Sequence, residues 1–328
     1  MKTTILIVLV LLISFFHLSA QTKEQTFKTI KPANEMKYKK LLVDGLEIFY
    51  REAGEPARPT ILFLHGFPSS SHMYRNIMTD LSSQYHVIAP DYPGFGLSSC
   101  PPVDQFNYTF DTIAAIMEHF IDALGLKKIN LYMQDYGGPV GFRIASKRPE
   151  LIHSLIIQNA NAYLEGLGAG VKKLGKLQEA GDSEELQNAI LNIISYDGIK
   201  VQYTHGAENE STISPDAYNM DSYFIERKGI KEIQVALFKN YKTNFPKYPE
   251  WQNYFRKYQP NALIVWGDHD EIFITPGAKA YKKDLKNAEL HILNGGHFML
   301  EEHHETVAAI ISQFLTKKNQ VPPPGKTR

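Results

Sequence analysis

The sequence of 328 residues contains one cysteine, Cys100, and a single thiol cannot form a disulfide within its own chain. Stability must therefore come from a packed core, which 43% hydrophobic and 12% aromatic residues can supply. Cys100 precedes Pro101-Pro102 with no base beside it in sequence, so it reads as chemically inert. There is no excess of either charge: 35 Lys and Arg face 35 Asp and Glu. That balance leaves no electrostatic footprint for nucleic acid or an anionic membrane surface. No Gly-x-Ser-x-Gly, phosphate-binding glycine loop or dinucleotide fingerprint occurs, which excludes the elbow of a serine esterase and the usual nucleotide sites. His303 and His304 do not stand at zinc-site spacing from His297. The expected partner is a small molecule, handled without metal or organic cofactor.

Long apolar runs are also scarce. The one at residues 5–16 follows Lys2 and leads into Leu18-Ser19-Ala20, a pattern expected of a secretory signal peptide at residues 1–20. It is short for a membrane span, which needs roughly 20 residues. Export to the periplasm or medium is the expectation, with no membrane span once the segment is cleaved. Asn107-Tyr108-Thr109 and Asn209-Glu210-Ser211 match glycosylation acceptors, a triplet that chance often supplies. Residues 318–328, with Pro322-Pro323-Pro324-Gly325, read as a disordered tail.

Between these ends, apolar strand-like runs alternate with helical periodicity. Asp44-Gly45 between two apolar runs marks a β-hairpin over residues 41–51. Residues 60–64, 85–89, 129–134, 155–158, 262–266 and 288–293 read as further strands. Helices are expected over residues 69–81, from Thr109 or Asp111 to Leu124, and over 139–146, 277–285 and 305–315. This alternation predicts a mostly parallel sheet flanked by helices, with a core at residues 38–158 and 261–317. The intervening residues 159–260 are too many for a loop and read as a helical cap, with helices near 184–194 and 230–240.

In such a fold, functional groups gather at the carboxyl ends of the strands. Four polar clusters fall there: His65-Gly66, Asp135, Asp268-His269-Asp270 and His297. Asp135 ends the run Ile129-Asn130-Leu131-Tyr132-Met133-Gln134 and precedes Tyr136-Gly137-Gly138. A strand-to-helix turn this sharp lifts its central side chain clear of the sheet. A carboxylate there attacks tetrahedral carbon well and esters poorly. His65 and the turn at residues 91–98 read as structural braces.

The order Asp135, Asp270, His297 and the absence of an elbow serine resemble the epoxide hydrolase and haloalkane dehalogenase branch of the α/β-hydrolase superfamily. The resemblance runs from about Tyr38 to Leu315. It implies an α/β-hydrolase fold with Asp135 as nucleophile, forming a covalent ester. His297 is then the general base for water, and Asp270 the acid that orients its ring, with Asp268 as the alternative. Backbone N–H groups of Phe67 and Tyr136 are the expected oxyanion hole.

The two activities of that branch differ in how the leaving group is held. A halide is cradled by N–H donors, usually a Trp after the nucleophile and an Asn or second Trp. An epoxide oxygen needs an acid, supplied in relatives by two cap tyrosines. Here Tyr136 and Phe67 occupy positions where dehalogenases carry such donors. Tyr241, in Phe238-Lys239-Asn240-Tyr241-Lys242, is similar to the second lid tyrosine segment, and Tyr203 is the candidate for the first, with Tyr163 as alternate. An epoxide hydrolase yielding a diol is the leading expectation. The alternatives are a dehalogenase with an atypical halide site and a non-catalytic ligand-binding protein on a hydrolase scaffold.

Overall fold

The computed structural model describes residues 34–320. The expected signal segment and residues 321–328 lie outside the described residues. Among those described, eight strands form one sheet: β1 (Lys37–Val43), β2 (Leu46–Ala53), β3 (Thr60–Leu64), β4 (His86–Pro90), β5 (Ile129–Gln134), β6 (Ile152–Gln158), β7 (Asn261–Gly267) and β8 (Glu289–Leu293). Their spatial order is β1-β2-β4-β3-β5-β6-β7-β8. The β1–β2 and β2–β4 pairs are antiparallel and every other pair is parallel. Asp44 and Gly45 both have positive φ, 50° and 81°, as a two-residue hairpin turn requires. Strands β3 and β5 are buried along their whole length, which explains why their sequences are continuous runs rather than alternating ones.

Helices cover the sheet: α1 (Arg75–Leu81), α2 (Phe110–Ala123) and α3 (Gly137–Lys147) among the first strands. Thr109 caps α2 by accepting from the Thr112 N–H, and Ile113, Met117, Phe120 and Ile121 form its buried face. The expected helix at residues 69–81 starts instead as a 3-10 turn, Ser71–Tyr74. There the Asp91 carboxylate accepts the Ser71 N–H at 2.7 Å, so the chain enters the helix from a loop fixed by a side chain. Between β6 and β7 lie α4 (Ala169–Glu179), α5 (Glu184–Ile193), α6 (Tyr196–Thr204), α7 (Pro215–Ile225), α8 (Ile230–Asn240) and α9 (Tyr248–Tyr258). Last come α10 (Thr275–Ala280) and α11 (Leu300–Gln320), the latter interrupted at His303. The final helix thus begins earlier than residue 305 and runs three residues past Lys317, into the segment expected to be a tail.

Candidate active site

Five strand ends build the site: those of β3, β5, β6, β7 and β8. Asp135 follows β5 directly and has φ 48°, a left-handed conformation that costs energy in any residue but glycine. Its neighbours permit the turn. A Cβ on Gly137 would stand 2.0 Å from the Leu64 carbonyl, and one on Gly66 would stand 2.3 Å from the Asp135 Cβ. Asp135 is only 5% exposed, yet it lines a cavity. The elbow expected from residues 129–138 is therefore present as a backbone feature.

The carboxylate is held asymmetrically. Phe67 N–H donates to Asp135 Oδ1 at 2.8 Å, and the Tyr136 N–H also favours the charged form. The other oxygen, Oδ2, lies 3.8 Å from His297 Nε2. Burial pushes the Asp135 pKa above the usual carboxylate range, while His297 and the two backbone donors oppose that rise. On the far side of the ring, His297 Nδ1 lies 2.8 Å from Asp270 Oδ2. A carboxylate can only accept, so Nδ1 carries the proton and Nε2 presents its lone pair. Burial lowers the His297 pKa, but attraction and hydrogen bonding from Asp270, with Asp135 beyond, outweigh it and leave the pKa raised.

Asp270 is itself tied down: Asp270 Oδ1 accepts from the Ile272 and Phe273 N–H groups at 2.7 and 3.1 Å. Asp268, the alternative, stays in the surface turn as acceptor for the Gly295 N–H at 3.4 Å. Two residues that sequence reasoning did not single out complete the site. Asn159 donates from Nδ2 to Asp270 Oδ2 at 2.7 Å, and its carbonyl accepts the Asp135 N–H at 3.3 Å. It stands at the end of β6, where an uncharged amide carries no motif that marks it. Gln134 Nε2 lies 3.0 Å from His297 Nε2; nothing in the strand pattern distinguishes it from a core residue.

His65 braces the neighbouring loop. Its Nδ1 is 3.0 Å from the Gly66 carbonyl and its Nε2 accepts from the Tyr92 N–H at 3.1 Å. Burial drives its pKa down to about 4, so it is neutral at ordinary pH.

The cavity above Asp135 has a volume of about 480 Å³ and is lined by strand-end residues and by α4, α5, α6 and α8 with the turn after it. Most of the wall is apolar, including Phe67, Leu174, Ile193, Phe238 and Phe273, and no Lys or Arg contributes. Tyr241 lines it, its ring 5.8 Å from that of Tyr136 and 5.7 Å from that of Phe110. Burial raises its pKa well above the ordinary phenol value, so the hydroxyl keeps its proton.

Tyr203 is not brought to this cavity. It is buried under α7, where its hydroxyl donates to Asp221 Oδ2 and its ring stacks on Phe298 at 3.8 Å. Tyr203, expected as the first lid tyrosine, is instead turned by α6 toward a buried carboxylate. Tyr163 is also elsewhere, donating to Asp284 at 2.7 Å. Neither tryptophan reaches the cavity: Trp266 donates to the Phe273 carbonyl, and Trp251 packs on Phe142.

This combination of a mixed sheet, an elbow carboxylate and a histidine–aspartate pair at strand ends defines a hydrolase of the α/β class. The chain belongs to the alpha/beta hydrolase fold family, whose sequence model matches residues 59–304. An uncharacterized hydrolase of Saccharomyces cerevisiae is 39% identical over 277 residues, 83% of this chain and 94% of that one. A haloalkane dehalogenase of Psychrobacter cryohalolentis is 27% identical over 287 residues, 82% of this chain and 88% of that one. Epoxide hydrolase 3 of Mus musculus is 24% identical over 279 residues, 83% and 74% respectively.

Proposed function

We propose that this hydrolase opens neutral, largely apolar epoxides to diols through an ester on Asp135. The observation that carries the reading is that Asp135 and Tyr241, a tyrosine that burial keeps protonated, line one apolar cavity, while neither tryptophan does. A halide needs N–H donors where it departs; an alkoxide needs a proton. Tyr241 supplies the proton, and the Asp135 carboxylate attacks the ring carbon through Oδ2, since Oδ1 is already engaged by Phe67. The ester carbonyl is then Oδ1, held by the donors that will stabilise the tetrahedral oxyanion. His297 Nε2 takes a proton from water, which attacks the ester carbonyl carbon. The diol departs with the oxygen that was Oδ2 and takes the proton from His297, while Asp135 regains one oxygen from water, whose remaining proton returns to the Tyr241 phenolate.

The absence of any Lys or Arg in the wall argues against a carboxylate-bearing substrate, whose charge would meet Asp135 uncompensated in a low-dielectric site. Dehalogenation at an atypical halide site is the second reading, supported by the likeness to relatives named haloalkane dehalogenase. Export through residues 1–20 stays part of the proposal. Purified protein offered styrene oxide and, separately, 1-bromobutane tests the choice: diol from the first and no bromide from the second is expected. Bromide release without diol would reverse it.

A further inference from the structure

Gln134 occupies a position that the mechanism above does not use. It is fully buried at the end of β5, and its Nε2 lies 3.0 Å from His297 Nε2, the nitrogen that must receive the proton of water. Because His297 Nδ1 donates to Asp270, that Nε2 is an acceptor in the neutral ring, and the amide N–H of Gln134 donates to it. The other end of the amide, Oε1, is buried with no hydrogen-bond partner. It is pressed against Gly66, where even a Cβ would come within 2.4 Å of it. A buried amide oxygen without a donor is costly, and here it sits one bond rotation from a nitrogen that gains a proton during turnover.

We propose that Gln134 is a positioning residue that serves both protonation states of His297. With the neutral resting ring, its N–H donates to the Nε2 lone pair, with the His297 carbonyl a second acceptor at 3.5 Å, and water must displace the bond to Nε2 before that nitrogen can take its proton. When water gives up its proton, that lone pair becomes an N–H. Rotation of the amide by a half-turn about its last side-chain bond then presents Oε1 as acceptor, which stabilises the imidazolium and gives the orphaned oxygen its partner. Gln134 itself gains and loses no proton. An acceptor-only or an apolar side chain can serve at most one of these states. The inference rests on the ester mechanism for its kinetic consequence but not for its effect on the ring.

Two variants and two readouts test it. Gln134→Met keeps the volume and removes both polar ends; Gln134→Glu keeps an acceptor and removes the donor. In the parent-like reading of rates, Gln134→Met should slow decay of the Asp135 ester roughly tenfold, the size expected for losing one hydrogen bond to a charged ring, while ester formation changes less than about twofold. Nitrogen-15 NMR of the histidines in the free protein gives the second readout, independent of any substrate. There Gln134→Glu should raise the His297 pKa by about one unit or more, because a carboxylate stabilises only the imidazolium, and Gln134→Met should not raise it. A His297 titration identical in parent and both variants, in folded protein, would overturn the proposal. If the NMR shifts appear but no ester forms in the parent, the proposal for the ring stands and the ester mechanism fails.

Discussion

Asn159 and His297 meet on one oxygen: Asp270 Oδ2 accepts from Asn159 Nδ2 at 2.7 Å and from His297 Nδ1 at 2.8 Å. The carboxylate that fixes the His297 ring is thus itself fixed by an amide on the neighbouring strand end. Asn159 does this from φ 41°, a left-handed conformation that asparagine tolerates better than most residues.

Asn159→Gly removes that bond, together with the one its Oδ1 accepts from the Gly267 N–H at 3.1 Å, with little backbone penalty, since glycine accepts the same φ. Loss of a hydrogen bond to a charged group costs about 1.5–3 kcal/mol, so decay of the ester should slow about 10- to 100-fold. Single-turnover kinetics would measure it, and an unchanged decay rate would leave Asp270 fixed by its two backbone donors alone.

The two tyrosines named together from the sequence should separate cleanly. Tyr241→Phe removes the acid and should slow epoxide opening by roughly 10²–10⁴ with unfolding unaffected beyond about 1 kcal/mol. Tyr203→Phe should leave the opening rate within a few-fold but destabilise the fold by about 1–3 kcal/mol, because it strips the donor from buried Asp221. Pre-steady-state product formation and urea unfolding of both variants give the contrast; equal kinetic losses would contradict it.

Ester formation needs Asp135 ionised, and burial holds its pKa above the usual carboxylate range. The rate of that step should therefore fall with acid at a pH above where an ordinary aspartate titrates. Ester hydrolysis needs His297 neutral. In the free enzyme Asp135 helps raise the His297 pKa; esterification removes that charge while burial remains. The His297 pKa should then be lower in the ester than in the free enzyme, so hydrolysis should persist to lower pH than the free-enzyme titration suggests. Comparing the pH profile of ester decay with the NMR titration of free His297 checks the sign.

Asp221 carries a stability prediction. Burial, opposed by the Tyr203 hydrogen bond, raises its pKa to about 7, against about 3.9 in an unfolded chain. A raised folded-state pKa contributes stability that is full below about pH 4 and is lost as pH rises through about 7. With Glu301 disfavouring and Arg75 favouring its charge, the swing is up to about 4 kcal/mol. Asp221→Asn keeps the acceptor and removes the titration, so its urea midpoint should fall less than the parent's between pH 5 and pH 8.

The elbow was legible because a strand-to-helix turn and its glycines are local: Asp135, Gly137 and Gly138 carry their constraint in adjacent positions. Chain order brought Asp270 and His297 to neighbouring strand ends, since parallel strands put their carboxyl ends on one edge. The cap obeyed no such rule. Tyr203 and Tyr241 both sit on helical segments of the cap, and only packing decides which of them lines the cavity and which meets Asp221. Asn159 and Gln134 were hidden for a related reason: an amide's role depends on the partner across space, and neither carries a charge or a motif that marks it. The extra turn of α11 beyond Lys317 lacked a sequence stop until the prolines at 322–324.

In the proposed mechanism Asp135 is esterified and water attacks the enzyme, not the substrate. A single turnover on styrene oxide in oxygen-18 water, followed by mass spectrometry of the peptide containing residue 135 and of the diol, addresses it directly. One heavy oxygen in Asp135 and none in the diol are expected after the first turnover. Heavy oxygen in the diol with an unlabelled Asp135 would contradict it and make Asp135 a general base rather than a nucleophile.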